Sequence, residues 1–187
     1  MRHQHGPIHR AISTFYKYVD QPNTNQNDHV VMDGIHAIDT LRWMCGGEVA
    51  SIHCIAKSVG MPDVNVHTAI MEFDTGAVGV LLTDFISGRR IFKVEMHSLG
   101  ACAEVELEYR GSMFVKQTAF AHKDIKADEY DTTAVAGSSD ARVIGGFEAI
   151  NRSFIDAVKN GTQTPTNLAD SVKTMEIVEK IRIAAMK

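Results

Sequence analysis

The chain has 187 residues, 44% of them hydrophobic and 22% charged, and carries a formal net charge of −4. This is the composition of a globular domain with enough apolar mass for a substantial core. The mild acidity excludes the basic footprint of a nucleic-acid or polybasic membrane binder. No apolar run is long enough to span a bilayer and the first residues lead into no signal-peptide core, so a cytoplasmic protein is expected.

In chain order, residues 8–19 are rich in β-branched and aromatic side chains and predict a first strand. The polar, turn-forming stretch 20–28 follows. Next, Ile35, Ile38, Leu41 and Cys45 recur at helical spacing, and Gly46-Gly47 supply a stop. From residue 48 to about 118 the pattern is one of strands: 49–59, 66–73, 77–86, 91–98, 103–109 and 113–118. Short turns are expected at 74–76, 87–89, 99–100 and 110–111, each with a glycine. Connections this short imply antiparallel neighbours, because a parallel crossover needs a dozen residues or more. A polar segment, 122–140, precedes two predicted helices, 144–160 and 166–186. The expected fold is α+β: an open, predominantly antiparallel sheet with helices packed on one face. Residues 1–187 read as one domain. Val78-Gly79-Val80-Leu81-Leu82 would contribute to an apolar patch on the uncovered face, and such a patch marks a partner surface.

Chemistry concentrates on the predicted helix. His36 stands between Asp33 and Asp39, each three residues away and thus on neighbouring helical positions. A carboxylate beside an imidazole orients the ring and suits it to proton transfer near neutral pH. Asp39 is a candidate substrate contact as well, and it also lies three residues from Arg42, the spacing of a structural ion pair. Tyr16 and Lys17, on the first strand, offer hydrogen-bonding groups for a polar ligand, and Asp33 can alternatively serve as a helix cap. The three cysteines, Cys45, Cys54 and Cys102, lie apart in apolar surroundings and read as reduced, packed thiols. No metal site is expected: His3, His5 and His9 alternate along a terminus, and no histidine pair at i, i+4 stands beside an acid.

Gly34-Ile35-His36-Ala37-Ile38-Asp39, then Leu41-Arg42-Trp43 and a glycine pair, resemble the C-terminal domain of the Gfo/Idh/MocA family of NAD(P)-dependent oxidoreductases. The strand Met71-Glu72-Phe73 turning at Asp74-Thr75-Gly76, and the closing Phe154-Ile155-Asp156-Ala157-Val158 with Pro165, continue the resemblance across most of the chain. The resemblance implies that His36 is the acid/base residue and that an acid just upstream helps it. Family members place that acid four residues before the histidine, where this chain has Met32, with Asp33 one place later. The resemblance further implies NAD or NADP in the full-length enzyme, a sugar or polyol-like substrate, and homo-oligomer contacts through the open sheet face. A G-x-G-x-x-G turn opening a βαβ unit and a Glu-Lys-Pro motif are both missing here. The chain therefore reads as the substrate-binding and dimerisation half of such an enzyme, binding no nicotinamide cofactor alone. The alternative is a non-catalytic dimerisation or small-ligand-binding module derived from that domain.

Overall fold

In the computed structural model, residues 5–20, 29–107, 110–115 and 128–185 are described. They form an eight-stranded sheet in the order β2-β3-β4-β1-β5-β6-β7-β8. The strands are β1 (Arg10–Tyr18), β2 (Val49–Lys57), β3 (Val66–Phe73), β4 (Val78–Asp84), β5 (Ile86–Ser98), β6 (Ala101–Glu106), β7 (Arg110–Val115) and β8 (Asp128–Asp131). A π-helical turn, Val30–Gly34, runs directly into α1 (Ile35–Cys45). After the sheet come α2 (Thr132–Ala136), α3 (Ala141–Ile144), α4 (Phe147–Asn160) and α5 (Leu168–Ala185).

Alternation along the strands builds the core. Ala11, Ser13 and Phe15 of β1 are buried on one face, as are His67, Ala69, Met71 and Phe73 of β3. α1 lies on this face through Ala37, Ile38, Leu41, Met44 and Cys45, and α5 through Ile177, Val178 and Ile181. Gly79 permits the close seat of α1: an added Cβ would meet Phe73 at 3.0 Å, with Leu41 and Cys45 each at 3.6 Å. The sheet is thus open on the other side, as the strand pattern implies.

Several details depart from the sequence reading. A tight turn is expected at residues 87–89, but they lie within β5, where its ladder with β1 is irregular: Tyr18 stands opposite Ile86 and Tyr16 opposite Ile91. The chain passes from β4 to β5 at Phe85 alone, and these strands are not neighbours, because β1 lies between them. β1 runs parallel to β4, with Arg10 opposite Val78, and antiparallel to β5, with Arg10 opposite His97. A short link therefore steps past the end of an inserted strand instead of forming a hairpin. Residues 110–111 also extend a strand, pairing with Glu106 and Val105. The nominally polar segment 122–140 contains β8 and α2, while residues 116–127, with the end of the expected strand 113–118, lie outside the described residues. So do residues 108–109, Met186 and His3.

The helices differ in how they pack. α4 makes its main contacts with α3, not with the sheet. Ala157 is its one buried residue among those described, and Phe147, Phe154 and Val158 are 60% exposed or more. A helix this short is marginal in water without a packed face. Its apolar stripe is therefore available to a covering element.

Candidate functional site

An ion pair joins the end of β1 to the π turn and brings together two of the residues singled out in the sequence. Lys17 continues the buried-face alternation of Ala11, Ser13 and Phe15, so its side chain lies on the helix side of the sheet. There its Nζ meets Asp33 Oδ2 at 2.5 Å, with both side chains 28% exposed. The π turn is wider than an α-turn and carries Asp33 at its fourth position. Such turns inside helices recur at functional positions.

His36 occupies the first turn of α1 and is exposed. Among the described residues its imidazole has no hydrogen-bond partner, while its backbone carbonyl accepts from Thr40 Oγ1 at 2.7 Å. It follows the Lys17–Asp33 pair by less than one helical turn in sequence. An exposed imidazole can take or give a proton.

Asp39 is engaged elsewhere. Its Oδ1 accepts from Thr174 Oγ1 at 2.6 Å and from Arg42 Nη1 at 3.3 Å. Arg42 also donates to Thr174 Oγ1 at 2.7 Å and to Asp170 Oδ1 at 2.8 Å. Asp39 thus belongs to a network that fastens α1 to α5. Hydrogen bonding from Arg42 holds the Asp170 carboxyl below the usual carboxylate range, helped by the charges of Arg42 and Lys173. Tyr16, by the alternation of β1, faces the open side of the sheet, opposite to Lys17. It stands across from Asp84, and burial together with that carboxylate raises its phenol pKa, keeping the proton on.

His29 carries a role that sequence patterns did not reveal. It is 4% exposed, stacks on Phe85 with centroids 5.0 Å apart, and points Nε2 towards Asp63 at 3.9 Å. Phe85 in turn lies against Phe15, whose ring also meets Phe92 edge-on. This aromatic cluster forms a rigid floor beneath the end of β1 and the π turn. A histidine after a polar loop gives no periodic signal from which such burial can be read. Asn65 pins the neighbouring loop by exchanging hydrogen bonds with Val59, donating at 2.8 Å and accepting at 2.9 Å. Among the described residues no group of three His, Cys, Asp or Glu side chains is arranged to hold a metal ion. No helix among them is long and apolar enough to cross a membrane.

Solved structures share this fold. A dehydrogenase (MviM) from Clostridium difficile superposes with a TM-score of 0.79 at 17% identity, over 98% of this chain and 56% of its own. Levoglucosan dehydrogenase, in complex with NADH and levoglucosan, gives 0.78 at 14% identity, over 97% and 58%. UDP-N-acetylglucosamine 3-dehydrogenase GnnA from Acidithiobacillus ferrooxidans gives 0.75 at 14% identity, over 98% and 56%. The chain spans little more than half the length of these neighbours, and identities this low speak to fold alone. Among curated proteins none matches the sequence. The model of the GFO/IDH/MocA C-terminal domain matches residues 3–99. The chain belongs to the Gfo/Idh/MocA family, as a C-terminal domain of it.

Proposed function

We propose that this chain is the substrate-binding half of an NAD(P)-dependent oxidoreductase acting on a sugar, polyol or related hydroxy compound in the cytoplasm. The observation that carries the proposal is the exposed His36 imidazole immediately after the Lys17–Asp33 ion pair. In the neighbours bound to NADH and levoglucosan or named for a nucleotide sugar, the substrates are hydroxyl-rich. Such substrates suit a paired donor and acceptor beside a proton carrier. Lys17 and Asp33 hold hydroxyl groups and orient them, while His36 takes or returns the hydroxyl proton.

A nicotinamide bound nearby supplies the hydride donor or acceptor. Among the described residues no glycine-rich turn joins a strand to an open helix N-terminus, so these residues provide no cradle for a dinucleotide pyrophosphate. This chain's own residues are assigned only to the substrate. The bare stripe of α4, with exposed Leu168 and Val172 at the start of α5, fits a reading in which a second body covers the helix layer. Homodimer contacts are assigned to the open sheet face, where Ile55 and Ile70 are exposed and Val78, Val80 and Leu82 are half-exposed.

Titration of the chain with a panel of sugars and polyols, followed by NMR, tests the reading directly. Perturbations centred on Lys17, Asp33 and His36, lost in Asp33→Asn, support it. A panel that leaves these signals unmoved removes it. In an enzyme joined to a nucleotide-binding half, His36→Ala should lower kcat by about 10²–10⁴ with little change in KM.

A further inference from the structure

The π turn is fastened at both ends. At its start stands His29, buried, with its ring lying on Phe85 at a centroid distance of 5.0 Å and an interplanar angle of 24°. Phe85, the one-residue link between β4 and β5, is itself clamped by two backbone hydrogen bonds. Its amide donates to the Asn65 carbonyl at 2.9 Å, and its carbonyl accepts from the Val19 amide at 2.8 Å. Val19 follows Lys17 closely on the same strand end. The contacts therefore close a ring. It runs from Lys17 to Val19 along the chain, then to Phe85, to His29, and through the π turn to Asp33, which returns to Lys17. Between the two ends the turn is seated by the buried Val30 and by Gly34, where an added Cβ would meet Val30 at 3.0 Å and Thr83 at 3.7 Å.

Packing alone does not account for a histidine in this slot. Phe15 and Phe92 extend the same aromatic cluster, which a phenylalanine would suit. The buried Nε2 of His29 has no hydrogen-bond partner among the described residues, and such an atom costs stability. It faces Asp63 Oδ2 at 3.9 Å, on the β2–β3 connection. That distance is too long for a hydrogen bond but within reach of electrostatic attraction, which burial strengthens. We propose that His29 is a positioning residue for the candidate site: drawn towards Asp63 through Nε2, it fixes where the π turn begins and thereby where Asp33 meets Lys17. The turn is only five residues long, so a displaced start carries over to the carboxylate at its fourth position. This role rests on the substrate reading, which gives the place of Asp33 its importance, but it is measured without a ligand. Sugars that leave the chain's signals unmoved would remove the substrate reading and leave the His29 role to be decided by its own measurements.

His29→Phe separates the two contributions of the ring, since it keeps the stack and removes Nε2. In urea denaturation this variant should be at least as stable as the parent chain. Amides of residues 30–34 should nonetheless exchange roughly tenfold faster. The coupling between Lys17 and Asp33, read from a double-mutant cycle in that background, should fall by about half or more. Asp63→Asn should reproduce both changes, and combining it with His29→Phe should add nothing further. If His29→Phe fails to fold, Asp63→Asn decides, because the Asp63 side chain is partly exposed. Unchanged exchange and coupling in either variant overturn the proposal, as do additive effects of the two. A His29→Phe chain that loses stability in step with the loosened turn makes the ring a packing residue only and overturns it too.

Discussion

Lys17 Nζ and Asp33 Oδ2 meet at 2.5 Å, joining the last core-facing residue of β1 to the widened turn that leads into α1. Neither side chain is fully buried, so the pair contributes modestly to stability and keeps its polar atoms accessible to a ligand. A double-mutant cycle with Lys17→Met and Asp33→Asn should give a coupling of about 1 kcal/mol in urea denaturation at low salt. That coupling should shrink at high salt, where exposed charges are screened.

The Arg42–Asp170 contact predicts an acid-sensitive junction between α1 and α5. The Asp170 carboxyl titrates lower in the folded chain than its unfolded value of about 3.9. A depressed folded pKa lends stability above the unfolded value and loses it as pH falls towards the folded one. The urea midpoint should therefore decline more steeply below about pH 4 in the parent chain than in Asp170→Asn. At neutral pH, Arg42→Met should cost about 2–4 kcal/mol, because it leaves Asp39, Thr174 and Asp170 without their shared donor.

Gly47 and Gly60 share a φ of +71°, but their surroundings differ. A Cβ on Gly47 would lie 2.0 Å from Asp74 Oδ1, whereas none of the neighbours of Gly60 comes within 4 Å. Asp74 Oδ1 accepts from Glu48 N at 3.0 Å and ties the α1–β2 corner. Gly60→Ala should cost only the backbone strain, about 1–2 kcal/mol. Gly47→Ala should cost measurably more, and equilibrium unfolding of the two variants separates strain from collision.

For α4, replacing Phe154 and Val158 by Ser should alter the unfolding free energy of the isolated chain by less than about 0.5 kcal/mol. The same pair should reduce binding of an apolar dye, since both residues are exposed. Amides of α4 should also exchange faster than those of α5, whose Ile177, Val178 and Ile181 are in the core.

What the sequence made legible was local. The period of Ile35, Ile38, Leu41 and Cys45 located α1, and the alternation of β3 located its buried face. The His36 helix emerged where its pattern placed it. Relationships set by distant residues did not emerge. Asp39 binds Thr174, 135 positions away, and no spacing rule reaches that far. Ser87-Gly88-Arg89 has turn composition, yet it falls inside β5 at a register shift of the ladder, between Ile86 opposite Tyr18 and Ile91 opposite Tyr16. The stripe of α4 had the right period for a packed helix, but a period says nothing about what lies opposite.

The position of β1 has a consequence for how the fold is reached. It is the earliest strand in the chain, yet its two neighbours are β4 and β5, whose last paired residues lie beyond position 80. Both flanks are far from β1 in sequence, so seating it in the middle of the sheet closes long loops. Contacts of such sequence separation slow folding and leave an unpaired strand exposed meanwhile. Because Lys17 sits at the far end of that strand, its place opposite Asp33 depends on both flanking strands. The candidate site is completed only when the sheet closes around its first strand.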